Sequence, residues 1–183
     1  VYAIGNLGTK ILTFLIVPLY TYYISTSDMG EYDLLITGVG LLSPIISLRI
    51  SEATYNWMIK QTESNEVCIK ATYNYLLKSC ALSVIAVGII GRFTRIWNLE
   101  LFLAILVLDP VLETTQKILR GLKNQKLFAA SGIIYTGILV TLNFITVCVM
   151  KLGVTSLLVN TIISQLISIA LIFILEKRMR CLT

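Results

Sequence analysis

The sequence predicts an all-α, polytopic membrane protein with six transmembrane helices packed as one bundle. Three observations predict it. First, 56% of the residues are hydrophobic and only 14% are charged, with a mean hydropathy of +0.84. Soluble domains carry about 25% charged residues, so polar side chains here are too few to coat a soluble core. Second, six segments are long enough for a bilayer, which takes about 20 apolar residues per helix, and short polar turns separate them. Third, lysine and arginine are distributed unevenly between alternate turns.

The first expected span is 2–24. Pro18 lies near its outer end and Tyr20, Tyr22 and Tyr23 form an interfacial belt. Ser25 to Glu31 supplies turn and breaker residues. The second span, 34–58, contains Pro44 and closes on Trp57. Neighbouring groups can satisfy the carbonyl that a proline frees, so Pro44 does not forbid a span. Lys60–Thr72 is polar and reads as a loop, and the third span covers 73–91.

The fourth span, 99–119, is the least apolar. Only Leu101–Leu108 is free of polar residues; Asp109, Pro110, Glu113, Gln116 and Lys117 follow. Read alone, it could be a buried or amphipathic helix, but its place between clear spans favours a crossing. Arg120–Lys126 is a basic turn. The fifth and sixth spans are 127–150 and 154–175, and Glu176 to Arg180 closes them with positive charge.

Orientation follows from the basic residues. One set of loops and ends holds Lys60, Lys70, Lys78, Lys117, Arg120, Lys123, Lys126, Lys177, Arg178 and Arg180. The opposite set holds Arg92, Arg95 and Lys151. Cytoplasmic loops carry the excess of Lys and Arg, so both ends of the chain are expected in the cytoplasm. The same count asks for an even number of spans.

Composition also narrows the chemistry. There is no histidine, which removes the commonest general base and metal ligand. Cys68, Cys80, Cys148 and Cys181 lack metal or redox spacing. No Ser-His or Cys-His constellation exists, and scattered basic residues do not make a nucleic-acid surface. The expectation is a non-enzymatic protein with no cofactor, no metal centre and no nucleic-acid partner.

Lys10, Arg49, Glu52, Asp109 and Glu113 fall inside the expected spans. A charge at mid-span costs roughly 2.5–3.5 kcal/mol on the insertion scale, so these residues must pair or line a watery cavity. Arg49 and Glu52, three residues apart, would share a helical face. Asp109, Glu113, Gln116 and Arg120 follow a second stripe at i, i+4, i+7 and i+11. One cleft between the first, second and fourth helices would hold them all. Arg49 could recognise an anion through its planar fork, or pair with Glu52 as a lock. Glu52 and Asp109 could take up a coupling ion, or serve as helix-locking charges. Lys10 could assist Arg49 or reach the membrane interface. Asn6, Asn143, Asn160, Ser164 and Gln165 read as interhelical hydrogen-bonding residues before cavity lining.

Leu7-Gly8-Thr9-Lys10, Pro18 through Ser25, and Asp28 through Leu34 resemble the opening of bacterial polysaccharide flippases. These are the O-antigen and capsule repeat-unit transporters of the multidrug/oligosaccharidyl-lipid/polysaccharide exporter superfamily. Gln116 with Arg120-Gly121-Leu122 and Phe128 is similar to that family's end of helix four. The resemblance implies one six-helix lobe of a two-lobe transporter in the cytoplasmic membrane, and therefore a fragment of a longer chain. It implies transport of an undecaprenyl-pyrophosphate-linked oligosaccharide by alternating access. The partners it implies are membrane lipid, a C-terminal lobe of the same protein, and the polysaccharide polymerase and chain-length machinery. On this reading the substrate contacts fall to Arg49, Lys10, Asp109, Glu113 and Gln116. A cation-coupled drug or metabolite exporter, or a non-transporting scaffold of a polysaccharide assembly complex, are the alternative readings.

Overall fold

The computed structural model describes residues 22–60, 64–94 and 98–176. Among them there is helix and turn but no strand. The helices are α1 (Thr26–Ser47), α2 (Ile50–Lys60), α3 (Asn65–Thr94), α4 (Leu99–Gly121), α5 (Gln125–Asn143) and α6 (Thr155–Leu175). A π-helical segment, Phe144–Val149, continues α5. Stretches 26–47, 65–92, 125–149 and 155–175 are each long and apolar enough to cross a membrane. They identify a membrane protein by helix length and composition.

Ser25 starts α1. Its side chain accepts from the Asp28 amide at 3.2 Å, satisfying one of the donors that a helix start leaves open. The helix runs 22 residues, about 33 Å at 1.5 Å per residue, and then stops. Leu48 and Arg49 both take left-handed backbone angles, with φ of 44° and 54°. The expected single helix over 34–58 is therefore two helices with a sharp junction between them. Pro44 supplies the nearest sequence cause, since it carries no N–H and weakens the last turn of α1. Carbonyls freed there find new donors. The Leu48 amide bonds Ile45 O at 3.3 Å, and the Ser79 hydroxyl of α3 donates to Ile46 O.

α3 begins at Asn65 and runs 30 residues, so most of the polar stretch read as a loop is helical. One buried stripe explains this: Cys68, Ile69, Thr72 and Leu76 pack inward at helical spacing while lysines and glutamate take the outer face. The Thr72 hydroxyl meets Thr54 of α2 at 2.7 Å, which fastens α2 to α3.

α4 is the centre of the fold. It packs against α1, α2, α3, α5 and α6, and Phe102, Ile105, Leu106, Leu112, Ile118 and Leu119 are buried along it. Leu106, Ile118 and Leu119 have no exposed surface. Towards the start of α4, Phe102, Ile105 and Leu106 join Leu35, Val39 and Leu158. Towards its end, Leu112, Ile118 and Leu119 join Met58, Cys68, Ile69 and Ile172. Neighbours on all sides let this helix carry Asp109, Glu113, Lys117 and Arg120, whose charges an isolated lipid-facing helix would not tolerate.

Lys123, with φ of 60°, turns the chain after α4. Asn124 then caps α5 by accepting from the Leu127 amide at 3.3 Å. Its amide also donates to Glu176 at the end of α6, at 2.9 Å. α5 and α6 are joined inside the bundle by Asn160. Its Nδ2 donates to Asn143 Oδ1 and to Thr146 Oγ1, both at 2.8 Å. The interhelical reading of Asn143 and Asn160 thus matches the structure. α6 follows the expected span within one residue.

Candidate functional site

A polar seam runs along the second half of α4, which faces α1, α2 and α6. Its residues are Asp109, Glu113, Lys117 and Arg120, each about one turn beyond the last and hence on one face. Every member has a partner of a different kind.

Asp109 lies where α1, α4 and α6 converge. Gln165 Nε2 of α6 approaches Asp109 Oδ1 at 3.5 Å. The Ser43 hydroxyl of α1 faces the same carboxyl without closing a well-formed hydrogen bond. The charged side chain that faces Asp109 is another carboxylate, Glu113. Four enclosed side-chain oxygens have no hydrogen-bond partner among the described residues: Ser43 Oγ, Thr114 Oγ1, Gln165 Oε1 and Ser168 Oγ; of these residues Ser43 and Gln165 face Asp109.

One turn on, Glu113 Oε1 accepts from the Ser51 hydroxyl at 3.1 Å. Ser51 is buried in the first turn of α2, so this contact pins the new helix start against α4. Gln116 is half-buried.

Lys117 forms an ion pair with Glu52 of α2. The lysine side chain is 19% exposed and the glutamate 40%, so the pair sits at the rim of the seam and not in its sealed interior. Arg49 and Arg120 also act on Glu52 electrostatically. Arg120 in turn lies over the Tyr55 ring, 5.1 Å from its centroid, and over Phe128 at 5.4 Å. These contacts hold the guanidinium between α2 and α5 through cation–π attraction.

The expected Arg49–Glu52 helical face does not form. Arg49 precedes α2 in a left-handed conformation and is exposed, so i, i+3 geometry does not apply to it. Glu52 instead reaches across to Lys117. The expected second stripe is present in altered form, since Lys117, not Gln116, carries the contact to α2. Lys10, the remaining candidate, lies outside the described residues, as do Asn6 and most of the motif at the start of the chain.

Sequence reasoning placed Lys117 among interfacial loop charges. Its spacing, four residues after Glu113 and eight after Asp109, was the available signal for the seam. Ser43 and Ser51 carried none, because a serine in an apolar helix most often bonds its own backbone. Gln165 was identified as an interhelical bonding residue, but not as a partner of Asp109.

Three cations around one carboxylate, at the point where a helix is interrupted, form a basic cluster with net positive charge. Such a cluster can receive an anion that competes with Glu52. The upper seam has the opposite character, with two carboxylates and neutral oxygens. No family model, curated protein or solved structure matches the chain.

Proposed function

We propose that the chain is one lobe of a membrane transporter that moves a lipid-linked oligosaccharide across the cytoplasmic membrane. The observation that carries this reading is the basic cluster of Arg49, Lys117 and Arg120 around Glu52. A pyrophosphate linker is a compact dianion, and guanidinium groups bind phosphate oxygens in a bidentate manner. Arg49 is the exposed member and would meet the anion first. Lys117 would exchange Glu52 for phosphate as the headgroup enters.

Further support comes from the resemblance of the opening residues and of Arg120-Gly121-Leu122 to polysaccharide flippases. Six spans would complete the lobe: the four apolar helices, the central α4, and the segment before Tyr22. A second lobe would complete the cavity on the side where Arg49 and the rim pair Glu52–Lys117 are exposed. Glu113 and Gln116 would then contact sugar hydroxyls. Mixed hydrogen-bonding groups suit a sugar better than an apolar drug.

The test is export in cells carrying the full-length protein. Arg49→Ala should abolish surface polysaccharide while the protein remains inserted at normal level. Arg49→Lys should retain little activity, because an ammonium lacks the planar fork. Normal surface polysaccharide in the Arg49→Ala strain would sink the anion-binding reading.

A further inference from the structure

We propose that Lys70, Asn74 and Lys78, on the outward face of α3, bind the phosphate of an anionic phospholipid from the surrounding bilayer. The site is apart from the basic cluster around Glu52, and it requires only that the chain lie in a membrane.

Position is the first reason. The three residues follow one another at four-residue intervals and all are exposed, so they form one stripe on the helix. Ser79, beside Lys78, donates to Ile46 O of α1, and Cys80 is buried, which leaves Lys78 turned away from the bundle. Beyond Lys78 the exposed face is apolar: Leu82 is 71% exposed, Ile85 61% and Ile89 60%. A face of this kind meets acyl chains and not a watery cleft, and a lysine at its edge needs a partner.

Depth is the second reason. The apolar stretch of α3 covers residues 65–92, about 42 Å at 1.5 Å per residue, against a hydrocarbon core of about 30 Å. With Arg92 at one boundary, the other falls about 20 residues earlier, close to Asn74. Trp57 is 43% exposed and marks the same end, since Thr54 of α2 meets Thr72 of α3 and tryptophan favours the membrane–water interface. Lys70 thus lies at headgroup level, and Lys78 about one turn inside it. Helical side chains lean towards the start of their helix, so the Lys78 stem runs towards Asn74 and carries its ammonium to the headgroups.

Charge identifies the ligand. Glu66 is the sole acidic residue of α3 and lies about three turns before Lys78. Neither Lys70 nor Lys78 forms an ion pair among the described residues. Two ammonium groups and the Asn74 amide N–H offer donors to phosphate oxygens, and basic groups at this end of membrane helices attract anionic headgroups. The acyl chains of the same molecule would lie along Leu82, Ile85 and Ile89. A bilayer lipid therefore satisfies both halves of the stripe, whereas a soluble phosphate satisfies only the first. A zwitterionic lipid would bring its own cation against the lysines, so an anionic headgroup is favoured.

The experiment places the full-length protein in phosphatidylcholine vesicles containing a phosphatidylglycerol probe with a diazirine in one acyl chain. After photolysis, labelled peptides are mapped by mass spectrometry. The expected result is labelling of residues 82–89 well above that by a matched phosphatidylcholine probe, and its displacement by unlabelled phosphatidylglycerol. Lys78→Gln should lower this excess about fivefold, the equivalent of about 1 kcal/mol for one basic residue facing an anionic lipid. Lys70→Gln with Lys78→Gln should remove it. Lys126→Gln, an exposed lysine of α5, should leave it unchanged. Equal labelling by the two probes, labelling untouched by the double variant, or an equal fall in Lys126→Gln would each overturn the proposal. Displacement by a polyprenyl pyrophosphate at concentrations where phosphatidylglycerol does not compete would give the site to a lipid carrier and overturn it as well. No transport is measured and Arg49 is intact, so this result and the Arg49→Ala export result can fail separately.

Discussion

Gly121→Ala should loosen the docking of α2 on α4 and, through it, the Glu52–Lys117 contact. An added Cβ at Gly121 would lie 2.7 Å from Met58 Sδ and 3.0 Å from Met58 Cβ. The sulfur could swing aside, but Met58 Cβ is fixed to the α2 backbone, and Met58 is only 3% exposed. The helices must therefore separate by a few tenths of an ångström. Overpacking of this kind costs about 1–3 kcal/mol, and the partly rotatable thioether points to the lower half of that range. The assay is reversible unfolding of the purified protein by SDS titration in mixed micelles, comparing wild type, Gly121→Ala, Met58→Ala and the double variant. Met58→Ala alone should cost about 2–5 kcal/mol as a truncation in the core. The double variant should be more stable than the sum of single effects predicts by at least about 1 kcal/mol, because the alanine methyl fills part of the vacated space. Strict additivity, or an unchanged midpoint for Gly121→Ala, would refute the close approach of α2 and α4.

Asn143→Ala and Asn160→Ala should each destabilise the α5–α6 pair, with a coupling of about 0.6–1.7 kcal/mol in a double-mutant cycle, the range for hydrogen bonds between membrane helices. Glu52→Lys and Lys117→Glu should each impair export, and the combined exchange should restore folding stability but not export, since the basic cluster would lose its geometry around Arg49. Equal export by the exchanged and wild-type proteins would argue that the pair only locks helices. Leu48→Gly should raise stability by about 1 kcal/mol, because glycine carries no penalty at the left-handed φ that leucine holds. In an uninterrupted helix the same substitution would lower stability by about 0.5–1 kcal/mol, so the sign of the shift in the SDS midpoint tests the junction directly.

The legible parts of the fold were those where one physical rule dominated. Val154 to Leu175 holds no charged residue, so α6 could be bounded from hydropathy alone. The interruption at Leu48–Arg49 left no such trace. Left-handed residues are usually glycine or asparagine, and here the chain forces leucine and arginine into that region because Ser79, Ser51 and Glu113 hold the two helix ends in place. Tertiary contacts decided the backbone, and local sequence did not announce them. The same holds for Asn65–Thr72, whose polar residues look like a loop until Thr72 finds Thr54. In the site, the stripe on α4 was readable because charge at helical spacing in an apolar segment is rare. The partner of each stripe member was not readable, since Glu52–Lys117 and Asp109–Gln165 join residues far apart in the chain. Lys117 was obscured by a competing rule: a lysine near the end of a span is normally counted as an interfacial anchor.

The central position of α4 has a consequence for biogenesis. This helix carries Asp109, Glu113, Lys117 and Arg120 and is enclosed by five neighbours, two of which, α5 and α6, follow it in the chain. As α4 leaves the ribosome, α1 with Ser43 has been made but α6, which brings Gln165 to Asp109, has not. Such a segment is a poor solitary passenger for the insertion machinery, and its integration should wait for α6 to deliver Gln165. A chain arrested after residue 150 should then hold α4 loosely, open to glycosylation or protease mapping from either side, whereas release beyond residue 176 should lock its topology.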